Sequence, residues 1–422
     1  MPSSALSSGV KLREVWAWSC YDFANSAYTT VVITAVFSAY FVSAVTEGKT
    51  WGTFAWTLAL SVSNALVLAT GPLVGAWADA HAAKKPLLLA TTLGCVLCTA
   101  GLALAAPGAI ALALAFVVLS NVFFGLGENL IAAFLPELAD SQAMGRVSGW
   151  GWSFGFLGGL LALGLCLLYI NLSPGKPASD FVPVTMLITA AFFAVASLPT
   201  FLFLRERAQP QPAAASPWRR LLETVRKAAD YRDLRRFLLC LVFYQAGIMA
   251  VIALAAIYAE QAMKFTTQQT ITLILVVNVT AALGAFGFGY LQDAIGHVRA
   301  VALTLAGWIV MILLAGFSWD RTSFWIAANL AGLCMGSSQA AGRAIVGYLA
   351  PPARLAEFFG LWGLAVKAAA IFGPLTYGAV TWLFAGNHRL GIFAVGVYFV
   401  VGLALLPGID VERGRKAALA SP

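Results

Sequence analysis

Apolar residues run in blocks along almost the whole chain. Each block is long enough to cross ~30 Å of hydrocarbon as a helix of ~20 residues. The blocks centre near residues 30, 65, 96, 122, 158, 192, 247, 279, 307, 336, 370 and 398, so the pattern predicts twelve transmembrane helices. One long polar interruption breaks the series, residues 205–234 (RERAQPQPAAASPWRRLLETVRKAADYRDL). Pro210, Pro212 and Pro217 make its first part an extended linker. With Ser216 as N-cap and Pro217 at the first helical position, Trp218, Leu221, Leu222 and Val225 then recur at helical spacing among basic residues. That spacing predicts a surface-lying amphipathic helix. The expected organisation is a six-helix bundle over 1–204, a linker over 205–234, a second bundle over 235–408 and a tail over 409–422. The polar start MPSSALSSGVKLRE lacks an apolar signal core, so the first span is expected to be its own insertion signal.

Composition agrees with this class: 60% of residues are hydrophobic and 10% charged, against about a quarter charged in soluble domains. The net charge of +8 is distributed by side. With the N-terminus cytoplasmic, Lys11, Arg13, Lys84, Lys85, Arg146, Arg299 and Arg354 fall on that side, with nine basic residues between 205 and 236 and three in the tail. The opposite side holds Lys49, Lys176, Lys264, Arg321 and Arg389. This positive-inside asymmetry predicts both termini in the cytoplasm, with an attraction for anionic lipid and no nucleic-acid partner. The six cysteines fall in or beside spans and imply small-residue packing, not a disulfide framework.

The two halves resemble each other. The second span ends GAWADAHAAKK and the eighth GYLQDAIGHVR, with Gly75 and Gly289, and Asp79 and Asp293, each 214 positions apart. GENLIAAFLP and GRAIVGYLAP place Pro136 and Pro351 215 apart. A repeat of this length, joined by a long loop, predicts two bundles related by an axis along the membrane normal.

The G-x-x-x-D pattern followed by basic residues resembles the signature loop of the major facilitator superfamily, with Ala80 and Ala82 here in place of a basic residue and a glycine. YDFANSAY in span 1, GRVSGWGWSFGFLGG in span 5 and PPARLAEFFGLWGLAVKAAAIFGPL in span 11 resemble its vacuole-effluxer-like branch, related to the autophagy-linked amino-acid exporter of fungal vacuoles. The resemblance covers nearly the whole chain. It implies an all-α fold of twelve membrane helices in two six-helix pseudo-repeats, alternating access, helices 1, 4, 7 and 10 around a central cavity, and amino-acid efflux for the fungal relative.

Polar residues follow that scheme. Asp22, Asn25, Ser26 and Thr29 form one stripe on helix 1. Asn121 and Glu128 share a face of helix 4, Gln339 and Arg343 a face of helix 10, and helix 11 adds Lys367. Counted from the helix ends, Asp22, Glu128, Arg343 and Lys367 lie roughly 11–14 Å deep, forming one layer with two charges of each sign. Two readings of the layer stand. In one, Arg343 or Lys367 holds a substrate carboxylate while Asp22 or Glu128 holds an amine or a proton. In the other, the same groups are a gate that breaks and re-forms. Asp22 is the first choice for proton coupling. Gly75, Asp79, Arg146, Gly289 and Asp293 are assigned to a conformational switch near the cytoplasm.

Two motifs are decoys. GWSFG matches a hydrolase elbow but lies inside a span without a histidine partner, so Gly151, Gly155 and Gly159 mark a close helix contact instead. GAFGFG lies inside span 8. The expectation is a secondary active transporter of a small zwitterionic or amphiphilic solute, amino acids favoured, coupled to protons if Asp22 acts as assigned. The alternative is a carrier of lipid or larger hydrophobic cargo. No enzyme activity, cofactor or metal is expected. The partners are a small-molecule substrate and membrane lipid. The chain is expected to act as a monomer in a bacterial inner (plasma) membrane.

Overall fold

The structure is a computed structural model. It describes residues 9–138, 144–207, 231–351 and 355–420, with Pro210 and Arg226; inside helices, the side chains of 136, 144–150, 152–153, 286, 289–290, 293, 340, 343–344, 355–357 and 359 are outside the description. The amphipathic helix expected over 217–230 falls almost wholly outside the described residues.

Twelve long helices are described: α1 (Leu12–Val45), α2 (Gly52–His81), α3 (Lys84–Gly101), α4 (Ile110–Ala132), α5 (Met144–Asn171), α6 (Ala178–Phe203), α7 (Arg232–Gln261), α8 (Thr267–Ile295), α9 (His297–Phe317), α10 (Arg321–Leu349), α11 (Leu355–Leu383) and α12 (His388–Leu405). A short helix, α13 (Val411–Leu419), follows. Eleven of the twelve are long and apolar enough to span a membrane. Among the described residues the exception is α10, which is 29 residues long. Asn329, Ser337, Ser338, Gln339 and Arg343 dilute its apolar content.

The chain forms two compact units: Met1–Lys49 with Val62–Pro217, and Thr50–Ser61 with Trp218–Pro422. In the first, α1 packs on α5 and α6, and α3 on α4 and α6. In the second, α7 packs on α11 and α12, and α9 on α10 and α12. Adding six to each helix number converts one set of pairs into the other, so the internal repeat is a repeat of packing as well as of sequence.

Close crossings rest on glycine. Gly158 of α5 lies against the Phe23 carbonyl of α1, and Gly373 of α11 against the Ala246 carbonyl of α7, leaving no room for a Cβ in either place. In the second unit the start of α2 joins α11: Phe54 stacks on Trp382 at 5.0 Å, and Ser61 Oγ donates to the Ile371 carbonyl at 2.8 Å.

Two local features depart from plain α-helix. In α1 the winding widens to π-helical over Tyr28–Ala35 and again over Phe41–Val45, a distortion that frequently marks functional helices. Between α8 and α9 stands Gly296 alone, at φ 86° and ψ 157°, a backbone region open essentially to glycine. Its counterpart 214 positions earlier is Ala82, left-handed at φ 47°.

Candidate functional site

The expected stripe on α1 is there, with a division inside it. Asp22, Ser26 and Thr29 are half-buried, whereas Asn25 is buried on the flank. Ser26 Oγ donates to the Asp22 carbonyl at 2.7 Å and Thr29 Oγ1 to the Ser26 carbonyl at 3.2 Å. Both hydroxyls thereby satisfy their protons locally and keep lone pairs for another donor.

The glycines of α5 make room for this stripe. A Cβ on Gly151 would stand 2.6 Å from Asp22 Oδ2, and one on Gly155 3.0 Å from Ser26 Oγ. Gly159 faces Thr30 in the same way, at 2.6 Å. The four-residue glycine spacing thus marks a close helix contact, and its partner is the polar stripe itself. The Asp22 carboxylate therefore sits at the α1–α5 seam.

Tyr21 connects that stripe to α4. It is fully buried, its hydroxyl shares a hydrogen bond of 3.1 Å with Thr92 of α3, and it lies in the field of both Glu128 and Asp22. A Cβ on Gly127 would stand 2.5 Å from this hydroxyl, so the contact sets α4 against α1 at the residue preceding half-buried Glu128. The same device recurs in the second unit. There Tyr244 of α7 is fully buried and its hydroxyl would meet a Cβ on Gly342 of α10 at 2.5 Å, one residue before Arg343. Aromatic packing accompanies these contacts. Tyr28 does stack on Phe124 at 5.1 Å and Tyr21 does meet Phe193 edge-on at 6.0 Å. The signal that could have revealed the added role was a Tyr in the first helix and a Gly before a charge in the fourth, present in both halves.

Asn121 does not share open space with Glu128. It is buried, and its amide donates to Ser63 Oγ of α2 at 2.6 Å. In the second unit Gln339 and Lys367 are half-buried on α10 and α11. The Arg343, Arg146 and Asp293 side chains lie outside the described residues, and of Gly289 only its place in α8 is described.

Gly75 and Asp79 line an open groove with Gly71, Asn129 and Lys84. Lys84 is its electrostatic centre: Nζ lies 3.1 Å from Glu137, 3.6 Å from Asp79 and 3.4 Å from the Ala133 carbonyl. Glu206 accepts the backbone amides of Lys84 and Lys85 at 2.7 and 3.1 Å, meeting free donors at the start of α3. Arg207 then pairs with buried Glu14 at 2.8 Å, and that carboxylate holds the guanidinium above its ordinary pKa. Among the described residues no group of three metal-ligating side chains comes together.

Comparison with known proteins gives the family. The family described as vacuole effluxer Atg22 like matches residues 53–419. An uncharacterized MFS-type transporter, YxiO of Bacillus subtilis, is 27% identical over 95% of this chain and 96% of its own. Autophagy-related protein 22-1 of Aspergillus fumigatus is 26% identical over 70% of this chain, which spans about half (54%) of that longer relative. Among solved structures, a bacterial homolog of the human lysosomal transporter Spinster, inward-facing and unoccupied, superposes with a TM-score of 0.71 at 14% identity, over 98% of this chain and 100% of its own. A D-xylose-proton symporter gives 0.70 at 13%, over 95% and 98%. These likenesses show the major-facilitator fold.

Proposed function

The chain belongs to the vacuole effluxer Atg22-like family and is a membrane transporter of the major-facilitator type, and we propose that its cargo is a small zwitterionic solute, amino acids foremost. The observation that carries this reading is the stripe of Asp22, Ser26 and Thr29, half-buried in a span that is otherwise apolar. A carboxylate at that depth is costly unless it serves a pathway, and a carboxylate with hydroxyls one turn apart suits an ammonium or a proton.

In this reading the chain works by alternating access, with both termini in the cytoplasm and the protein in the bacterial plasma membrane. Arg343 or Lys367 takes the substrate carboxylate, and Glu128 and Gln339 complete the polar layer. Asp22 carries the coupled proton. Neutralising it removes the charge held against Gly151, which loosens the α1–α5 seam and so couples protonation to helix movement. Gly75 and Asp79 work with Lys84 at the helix ends as the switch, joined by Arg146, Gly289 and Asp293.

The test is uptake of labelled amino acids into proteoliposomes with and without an imposed proton gradient, run beside Asp22→Asn. Accumulation that requires the gradient, with exchange kept and accumulation lost in the variant, is the expected result. Movement of no amino acid under any gradient overturns the substrate class. Unchanged accumulation by Asp22→Asn overturns the role given to Asp22.

A further inference from the structure

We propose that the first turns of α7 and the helix α13 form a headgroup site for anionic phospholipid in the leaflet on the side of the chain termini, with Arg232 and Lys416 as its phosphate ligands. The argument begins with how firmly α13 is held. A Cβ on Gly414 would stand 2.5 Å from the Leu349 side chain and 3.0 Å from Asp233 Cβ, and Ala418 is fully buried. The helix therefore lies flat against α7 and α10. Arg413 grips buried Asp233 through two nitrogens, at 2.6 and 2.8 Å, and Asp233 also accepts the Asp410 amide at 2.9 Å.

Among the described residues, the acids of this region are thereby committed. Asp233 is taken by Arg413, Asp410 caps α13 through the Arg413 amide at 2.9 Å, and Glu412 accepts from the Tyr348 hydroxyl at 3.3 Å. Two of the basic groups are committed as well: Arg236 donates to the Gly408 carbonyl and Arg415 to that of Tyr348. Arg232 and Lys416 are exposed and pair with no acid among the described residues. Arg232 lies close enough to act on Asp233, and Lys416 is one turn beyond Arg413. The Asp233–Arg413 pair therefore ties together the two segments that carry these cations.

Placement then selects the occupant. Arg232 and Leu239 fall on one face of α7, and Leu239 is an exposed apolar residue within the spanning helix. Leu419, exposed at the end of α13, adds apolar surface one turn from Lys416. Cations at the end of an apolar stripe match a lipid whose phosphate is at the interface and whose chains lie along the helix. A soluble anion would gain nothing from the leucines.

The experiment is native mass spectrometry of the full chain released from nanodiscs of phosphatidylcholine with one-fifth phosphatidylglycerol. At about five-fold per basic residue near the surface, the wild type should retain phosphatidylglycerol over phosphatidylcholine at about 25-fold the bulk ratio of the two lipids. Arg232→Gln/Lys416→Gln should fall to the bulk ratio. Lys49→Gln/Lys176→Gln, which removes the same charge elsewhere, should keep the wild-type preference. An unchanged preference in the first variant, or an equal loss in the second, overturns the site. Thermal stability in pure phosphatidylcholine monitors folding: equal midpoints for the variants and the wild type assign any lost retention to the site. Protection by inorganic phosphate in pure phosphatidylcholine, matching that by phosphatidylglycerol, overturns the assignment to lipid.

Discussion

Tyr21 and Gly127 meet so closely that the tyrosine hydroxyl lies 2.5 Å from where a Cβ on the glycine would stand, and Tyr244 and Gly342 repeat the relation in the other half. The two contacts differ in one respect that separates their energetics. The Tyr21 hydroxyl shares a hydrogen bond with Thr92, whereas the Tyr244 hydroxyl is buried without a partner among the described residues. Tyr21→Phe should therefore cost about 1 kcal/mol, while Tyr244→Phe should be neutral or stabilising, since it removes a buried unsatisfied group. Gly127→Ala and Gly342→Ala should each cost about 1–3 kcal/mol by overpacking. Adding the matching Tyr→Phe should recover most of that loss. Thermal midpoints in detergent for the two double-mutant cycles check this, and additive effects would show that the tyrosine and glycine are not in contact.

Glu14 and Arg207 tie the head of α1 to the chain just after α6. The acid is 3% exposed and the arginine 31%. Removing the arginine leaves a buried carboxylate uncompensated, which costs roughly 3–5 kcal/mol when both partners are fully buried. Arg207→Ala should fall somewhat short of that because its own site is partly open to water. Glu14→Gln/Arg207→Met, which removes both charges, should be clearly more stable than Arg207→Ala alone. Equal losses for the two variants would mean that the guanidinium acts by packing and not by charge.

The repeat, the helix count and the polar stripe could be read from the sequence because each is a local or strictly periodic signal. Gly151, Gly155 and Gly159 also announced a close contact, since spacing by four aligns small residues on one face. Spacing alone did not name the partner, and Gly158, which meets the Phe23 carbonyl, stands outside that pattern. The pairs Glu14–Arg207 and Asp233–Arg413 were hidden for a different reason. Their members are far apart along the chain and, Arg207 apart, sit in the first turns of helices, on a side whose basic residues already had an explanation in membrane topology. The π-helical turns of α1 also escaped notice, because YTTVVITA satisfies a plain helical period as well as a widened one.

Ala82 offers a gain in stability. It closes α2 in the left-handed conformation at φ 47°, where its counterpart Gly296 closes α8 at φ 86°. A non-glycine residue there pays roughly 1–2 kcal/mol through its Cβ. Ala82→Gly should recover about 1 kcal/mol, and Gly296→Ala, at ψ 157°, should lose about 1–3 kcal/mol. Both are read as shifts in the thermal midpoint, and the prediction fails if the two substitutions move it in the same direction.

Lys84 bridges two acids whose surroundings differ, which allows a structural role to be separated from a functional one. Glu137 is 12% exposed and 3.1 Å from Nζ; Asp79 is 55% exposed and 3.6 Å away. The Glu137 carboxylate also accepts the Arg207 amide at 2.7 Å. An exposed ion pair is worth at most about 1 kcal/mol, whereas a desolvated one with further hydrogen bonds is costly to break. Glu137→Gln should therefore lower the thermal midpoint distinctly more than Asp79→Asn. If Asp79 belongs to the switch, Asp79→Asn should nevertheless slow transport several-fold while leaving the midpoint nearly unchanged, because its contribution differs between the states of the cycle and not between folded and unfolded chain. Measuring both quantities on the same preparations decides the matter. An Asp79→Asn protein that transports at the wild-type rate would reduce Asp79 to a solvated helix-end acid and leave Glu137 as the working partner of Lys84.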